Sequence, residues 1–350
     1  MPIFQPVILT TLTITTLIFL SSTHLVLMWV ALELSTLVVL PLIANKSHPR
    51  SVEAHKNTPH TGHRFCLIIF SWTLNYITTG GGQITEVTNQ TLTTITALAL
   101  FIKIGLVPFH FWVPETIQGM TPTASIFLLT WQKLGPLIML YLMSPLINFE
   151  VLSAVSILSA TIAGWLGLNQ TQIRKLVALS SIAQMAWTLV IIKYAPSLTI
   201  LAFYLYSITI STTLLTLEKL STTSINNLLL SFQKAPITSL LLTISLLSLS
   251  GLPPLAGFLP KWLTIDQLVA EGAIWVAFTM LMASLLSLFF YLRLWYNSAS
   301  TLPPNTANTQ RLWRKPVQQT SLTINSLAMA ALTLILAATM MKAITKQESY

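Results

Sequence analysis

Apolar runs of about 20 residues, separated by short polar connections, repeat from one end of the chain to the other. They lie near 3–21, 24–44, 65–79, 90–108, 122–143, 148–168, 174–193, 197–218, 237–269, 273–297 and 322–343. None alternates with a period of two, so the pattern predicts helices and not strands, and about 20 apolar residues is the length that crosses a bilayer. The third run is short. The ninth is too long for one crossing and contains "SGLPPLAGFLPKW", which marks a helix broken in its middle. The pattern predicts an all-α polytopic membrane protein with about 11 transmembrane helices, and termini on opposite sides.

Composition agrees with the pattern. Of 350 residues 53% are hydrophobic and 8% charged, with mean hydropathy +0.73. A soluble domain carries roughly 25% charged residues, so this chain lacks the polar surface to face water. Hydrocarbon offers no partner to backbone amides, which leaves helices or a closed barrel, and the patterning selects helices. The opening "MPIFQPVILTTLTITTLIFL" has no basic leader region or small-residue cleavage site and is read as a first span.

The net charge of +9 does not indicate nucleic acid, because the basic residues are scattered singly in short loops. Alternate connections hold Lys46 and Arg50, Arg174 and Lys175, Lys219 and Lys234, then Arg311, Arg314 and Lys315. The opposite set, "TTGGGQITEVTNQ", "SPLINFE", "YAPS" and "AEG", is nearly bare, with Lys193 at an edge. The positive-inside rule therefore puts the basic loops and the N-terminus on the inner side.

"KIGLVPFHFWVPE" (103–115) and "SGLPPLAGFLPKW" (250–262) share Gly-Leu-x-Pro followed six residues later by proline: Pro108 and Pro114, Pro254 and Pro260. Five passes separate them, which fits an inverted-topology repeat of five-helix halves, 1–143 and 148–297, with 322–343 as an additional helix in one membrane domain, 1–350. Paired interruptions of this kind point to a transport site; the competing reading is that Gly and Pro are common in membrane helices.

The chemistry should lie in charges inside the apolar runs. Glu33 sits in "LVLMWVALELSTLVVL", Lys103 in "TALALFIKIGLVPFHFW", Lys133 in "SIFLLTWQKLGPLIMLYL", and Lys261 follows the second break with Asp266 beyond it. Each costs on the order of 3 kcal/mol at a bilayer centre, and four cost ~10 kcal/mol, so they belong in the protein interior as proton or ion groups. Lys133 is too deep in its run to snorkel; for Lys103 and Lys261, beside breaks, snorkelling competes. Burial disfavours the charged lysine and a nearby carboxylate favours it, so a Glu–Lys pair of changing separation is a proton switch. His110 is either a relay or a packing residue, and Trp29, Trp112, Trp262 and Trp295 read as interfacial anchors. No Walker motif, dinucleotide fingerprint or CxxC occurs in the sequence, so no cofactor is expected on this chain.

The segments "HPRSVEA", "KIGLVPFHFWVPE", "GLNQTQIRKLVALSSIAQMAW", "SLSGLPPLAGFLPKW", "LSLFFYLRLWY" and "TLPPN" resemble, in order and over nearly the whole chain, the mitochondrial NADH dehydrogenase subunit 2 family. These are antiporter-like membrane chains of respiratory complex I. The resemblance implies a proton-translocating module of NADH:ubiquinone oxidoreductase, in the mitochondrial inner membrane, with the N-terminus facing the matrix and the C-terminus the intermembrane space. It implies other membrane-arm subunits and phospholipids such as cardiolipin as partners, and FMN, iron–sulfur clusters and ubiquinone elsewhere in the complex. It also implies roles: Glu33 and Lys103 as a tuned pair, Lys133 as relay, Lys261 as the link to the exit or next subunit. Gln184 and Ala186 stand where the family usually has His and Gly, so any central relay here runs through water or other side chains. A stand-alone cation/proton antiporter and a structural scaffold are the alternatives.

One segment departs from the family. "EAHKNTPHTGHRFC" (53–66) gathers His55, His60, His63 and Cys66, in a chain with six histidines and one cysteine, as a metal site would. The family reads roughly T-K-x-x-L-T-Q-A-T-A-S-A after "EA", and the codons for residues 55–66 read one base later can spell T-K-M-L-L-T-Q-A-T-A-S-A. Residues 55–66 are therefore read as a compensated reading-frame error and no metal site is expected; genuine divergence of the segment and a metal site are the alternatives.

Overall fold

The computed structural model describes residues 4–44, 62–81, 83–84, 89–225, 227–228, 235–253 and 255–300. Among them the chain is helical: α1 (Phe4–Ser21), α2 (Leu25–Ala44), α3 (Gly62–Thr79), α4 (Gln90–Ile104), α5 (Trp112–Gly119), α6 (Pro122–Leu129), α7 (Trp131–Met143), α8 (Phe149–Leu168), α9 (Ile173–Val190), α10 (Pro196–Leu220), α11 (Pro236–Ser250), α12 (Phe258–Ala270) and α13 (Ile274–Ser300). Proline opens α6, α10 and α11, where its missing N–H costs nothing. The Thr121 hydroxyl also accepts from the Ala124 amide at 3.4 Å to cap α6.

Four stretches are long and apolar enough to cross a membrane: Pro122–Met143, Phe149–Leu168, Pro196–Leu220 and Ile274–Asn297. Shorter apolar helices are Thr10–Ser21, Leu25–Val39, Leu67–Ile77, Gln90–Ile104 and Ile237–Ser250. Ten of the expected runs thus fall on helices, and the eleventh, 322–343, lies outside the described residues. Many threonine hydroxyls in these runs bond inside their own helices: Thr96 donates to Thr93 O at 2.8 Å and Thr213 to Ile210 O at 2.8 Å. Such back-bonding lets a threonine-rich helix sit in hydrocarbon with no bare donor. Trp165, Trp275, Ile77 and Leu17 are among the large apolar side chains on the outer surface.

Three local expectations need correction. The first interrupted run, expected as a helix over 90–108, stops at Ile104, and a separate helix, α5, forms over Trp112–Gly119. The 122–143 run is divided at Thr130, with φ −107° and ψ −68°, where the Thr130 hydroxyl bonds Ile126 O at 2.7 Å. Trp112 is no interfacial anchor, because its indole N–H donates to Ile102 O at 3.2 Å across the first break. In the histidine run, residues 55–61 lie outside the described residues, and 62–66 are described only as backbone of α3.

Packing places the interior. α9 packs on α8, α5, α10 and α13; α2 touches α7 and α3; α4 touches α3 and α7. Small residues permit the close approaches, as expected between membrane helices. A Cβ on Gly135 of α7 would stand 2.4 Å from Leu32 Cδ2 of α2. On α8, a Cβ on Gly164 would stand 2.9 Å from Leu286 Cβ, and one on Gly167 2.9 Å from Phe290 Cε1, both of α13.

Candidate functional site: a line of buried lysines

The two breaks are built alike. Gly105 ends α4 and Gly251 ends α11, both at φ +84°, a left-handed cap that glycine adopts without a Cβ penalty. The Gly105 amide closes onto Phe101 O and Ile102 O, and the Gly251 amide onto Leu247 O and Ser248 O. A helix that stops inside the protein leaves carbonyls needing donors. At the second break the donors are side chains. Gln184 Nε2 of α9 donates to Leu249 O at 2.6 Å, and Lys261 Nζ of α12 donates to Ser250 O at 2.8 Å.

The three lysines are buried, at 6% exposure for Lys103, 3% for Lys133 and 7% for Lys261. None of them snorkels. Lys103, in the last turn of α4, donates from Nζ to Leu32 O of α2 at 2.9 Å. The next residue, Glu33, is half-buried, and its carboxylate is close enough to Lys103 for the two to act on each other electrostatically. Thr36 O–H donates to Glu33 O at 2.7 Å and reaches Glu33 Oε2 at 3.4 Å. Gln132 Nε2 of α7 holds Ser35 O of α2 at 2.6 Å, which fixes the pair's helix against the helix that carries Lys133.

Lys133 Nζ donates to Ser181 Oγ at 3.2 Å and contacts Ser181 O and Tyr206 Oη at 3.4 Å. The Tyr206 hydroxyl donates to Leu129 O at 3.0 Å, and the lysine lies 5.3 Å from the centroid of that ring. Lys261 Nζ lies 5.9 Å from the Trp187 ring centroid, within cation–π range. Its aliphatic chain and amine pack on Gly251, where a Cβ would come within 3.0 Å of Lys261 Cδ and Nζ.

One face of α9 joins the second and third lysines. Ser181 contacts Lys133, Gln184 reaches the broken helix, and Trp187 meets Lys261. Positions three apart share a helix face, and six residues rise about 9 Å. Ser181, Tyr206 and Trp187 were missed by sequence reasoning; the polar pair "SS" and the tyrosine in "LAFYLYSITI" were the available signals. Asp266 is not brought to Lys261: it is exposed, while the lysine is buried. His110 is buried in the first break, with its ring 4.1 Å from that of Phe111.

The model of the family described as NADH:quinone oxidoreductase/Mrp antiporter, TM, matches residues 22–287, and that of NADH dehydrogenase subunit 2 C-terminus matches residues 288–342. NADH-ubiquinone oxidoreductase chain 2 of Coturnix japonica is 45% identical over 302 residues, covering 85% of this chain and 87% of that one. The Xenopus laevis chain is 41% identical, with 93% and 94% covered. The Salmo salar chain is 40% identical, with 95% and 96% covered. The fold is similar to a chain of the archaeal membrane-bound sulfane sulfur reductase, with TM-score 0.84 at 19% identity over 98% of this chain and 74% of that one. It is also similar to a chain of Thermus thermophilus respiratory complex I, with TM-score 0.79 at 23% identity over 93% and 76%. The chain belongs to the NADH:quinone oxidoreductase/Mrp antiporter transmembrane family and, within it, to the NADH dehydrogenase subunit 2 group.

Proposed function

We propose that the chain is the proton-translocating membrane subunit 2 of NADH:ubiquinone oxidoreductase, in the mitochondrial inner membrane, and that Glu33, Lys103, Lys133 and Lys261 are its relay. Electron transfer through FMN, iron–sulfur clusters and ubiquinone belongs to other subunits. The observation that supports the relay is the set of three buried lysines, each hydrogen-bonded to a main-chain carbonyl of another helix. Glu33 acts on Lys103: when the carboxylate is near and ionised the ammonium is favoured, and when it withdraws the proton is released.

Lys133 takes that proton and passes it along the α9 face to Lys261. Gln184 lies between them and cannot take up a proton, so the hop runs through water beside its amide. Two charged groups separated by about 9 Å, the rise from Ser181 to Trp187 where the two lysines meet α9, repel by about 2 kcal/mol at an effective dielectric of about 20. That exceeds a tenfold change in occupancy, so loading one lysine helps to unload the other.

In this reading the two breaks belong to inverted five-helix halves, 1–143 and 148–297, of one membrane domain. The basic loops and the N-terminus face the matrix and the C-terminus faces the intermembrane space. Neighbouring membrane-arm subunits and phospholipids such as cardiolipin cover the apolar outer surface. The test is Lys103→Met in the assembled enzyme, with turnover and proton pumping measured together. Both should fall with the complex still assembled; retention of both would make the chain a scaffold.

A further inference from the structure

A cavity of about 400 Å³ lies where α8, α9 and α13 reach the basic loops, with Asn169, Gln170, Ser224, Phe290, Arg293 and Asn297 among its lining. Its polar wall and size hold several waters. Leu294 also lines it, and Tyr291 sits three residues earlier on α13, about 4.5 Å deeper along the helix axis. Tyr291 is among the largest fully buried side chains. Its hydroxyl makes no hydrogen bond among the described residues, although the Ser180 hydroxyl is close enough to act on it. The Tyr206 hydroxyl, which contacts Lys133, is within its electrostatic reach. A buried phenol left without a partner is costly, and this one lies about one helical turn from Leu294 in the cavity lining.

We propose that this cavity is a second vestibule, from which protons also enter the relay at Lys133 beside the path from Lys103, and that the Tyr291 hydroxyl passes them inward. The proposal rests on the relay reading above. A phenol both donates and accepts. A proton from vestibule water binds the Tyr291 oxygen as the phenol releases its own proton toward the Ser180 and Tyr206 hydroxyls. These release theirs toward Lys133, whose neutral amine becomes an ammonium. Each hydroxyl gains one proton and loses one, and rotation of the hydroxyls resets the path. The Gly167–Phe290 contact holds α13 against α8 and so keeps the phenol in position.

The test is Tyr291→Phe in the assembled complex, with Tyr296→Phe on the exposed side of the same helix as control. Tyr291→Phe should assemble normally, slow coupled turnover on the order of tenfold or more, and raise the solvent deuterium isotope effect. Tyr296→Phe should change none of these. Arg293→Leu with Asn297→Leu, which makes the vestibule wall apolar, should slow turnover in the same way, and serves if Tyr291→Phe fails to assemble. Normal turnover and an unchanged isotope effect in Tyr291→Phe, while Lys133→Met abolishes pumping, would overturn the uptake path alone. Normal pumping in Lys133→Met would overturn the relay and this proposal together.

Discussion

Gly251→Ala perturbs Lys261 without altering a titratable group. Gly251 has φ +84°, and a Cβ built there lies 3.0 Å from both Cδ and Nζ of Lys261. Two costs follow. An L-residue in the left-handed region costs about 1–2 kcal/mol. The new methyl also pushes the amine from Ser250 O, a 2.8 Å bond of the charge-assisted kind worth about 1.5–3 kcal/mol when the amine is protonated. Gly272→Ala separates the two costs, because Gly272 has φ +77° and nothing within 4 Å of its Cβ. Gly272→Ala should lower the stability of the assembled subunit by about 1–2 kcal/mol, a factor of roughly 5–30 in the folded ratio, and Gly251→Ala by about 2.5–5 kcal/mol, the two costs together. Only Gly251→Ala should also lower proton pumping per assembled complex. The assay is NADH:ubiquinone turnover and proton uptake in proteoliposomes, normalised to intact complex on native gels. Equal pumping per complex in the two variants would refute the placement of Lys261 at the break as functional.

Gln184→Leu leaves Leu249 O without its donor and should destabilise the second break by about 1–3 kcal/mol, read as loss of intact complex on thermal challenge. Gln184→His restores a titratable group on the α9 face and should keep pumping at or above the unmodified level. Gly164→Val brings a side chain into Leu286 and should reduce assembled enzyme through the α8–α13 contact, checked by native gel. Mass spectrometry of the segment after Ala54 should give a peptide of the pattern T-K-M-L-L-T-Q-A-T-A-S-A; a peptide containing His55, His60 and His63 would contradict the frame-shift reading.

The fold was legible because crossing hydrocarbon imposes a length and an apolar composition that a sequence displays openly. The four ionisable residues were legible for the same reason: Lys133 stands out in "TWQKLGP" because nothing around it is charged. What stayed hidden depends on three-dimensional neighbours. Trp112 has the composition of an interfacial anchor, yet the chain's reversal at the first break turns its indole back to Ile102 O. Ser181 and Tyr206 resemble any hydroxyl in a span until helix packing brings them to Lys133. Asp266 is near Lys261 in sequence, but five helical residues rotate it about 140° away, and it is exposed while Lys261 is buried.

The central claim is that protons cross this subunit through its buried lysines. The most direct measurement is the proton-to-electron ratio of the assembled enzyme carrying Lys133→Met, with oxidation of NADH and acidification followed in the same vesicles. Lys133 is the least exposed of the three lysines, and methionine keeps its length and apolar stem while removing the proton site. The account expects pumping through this subunit to stop, seen as a lowered ratio or as turnover falling with it. An unchanged ratio at unchanged turnover, in fully assembled complex, would contradict it.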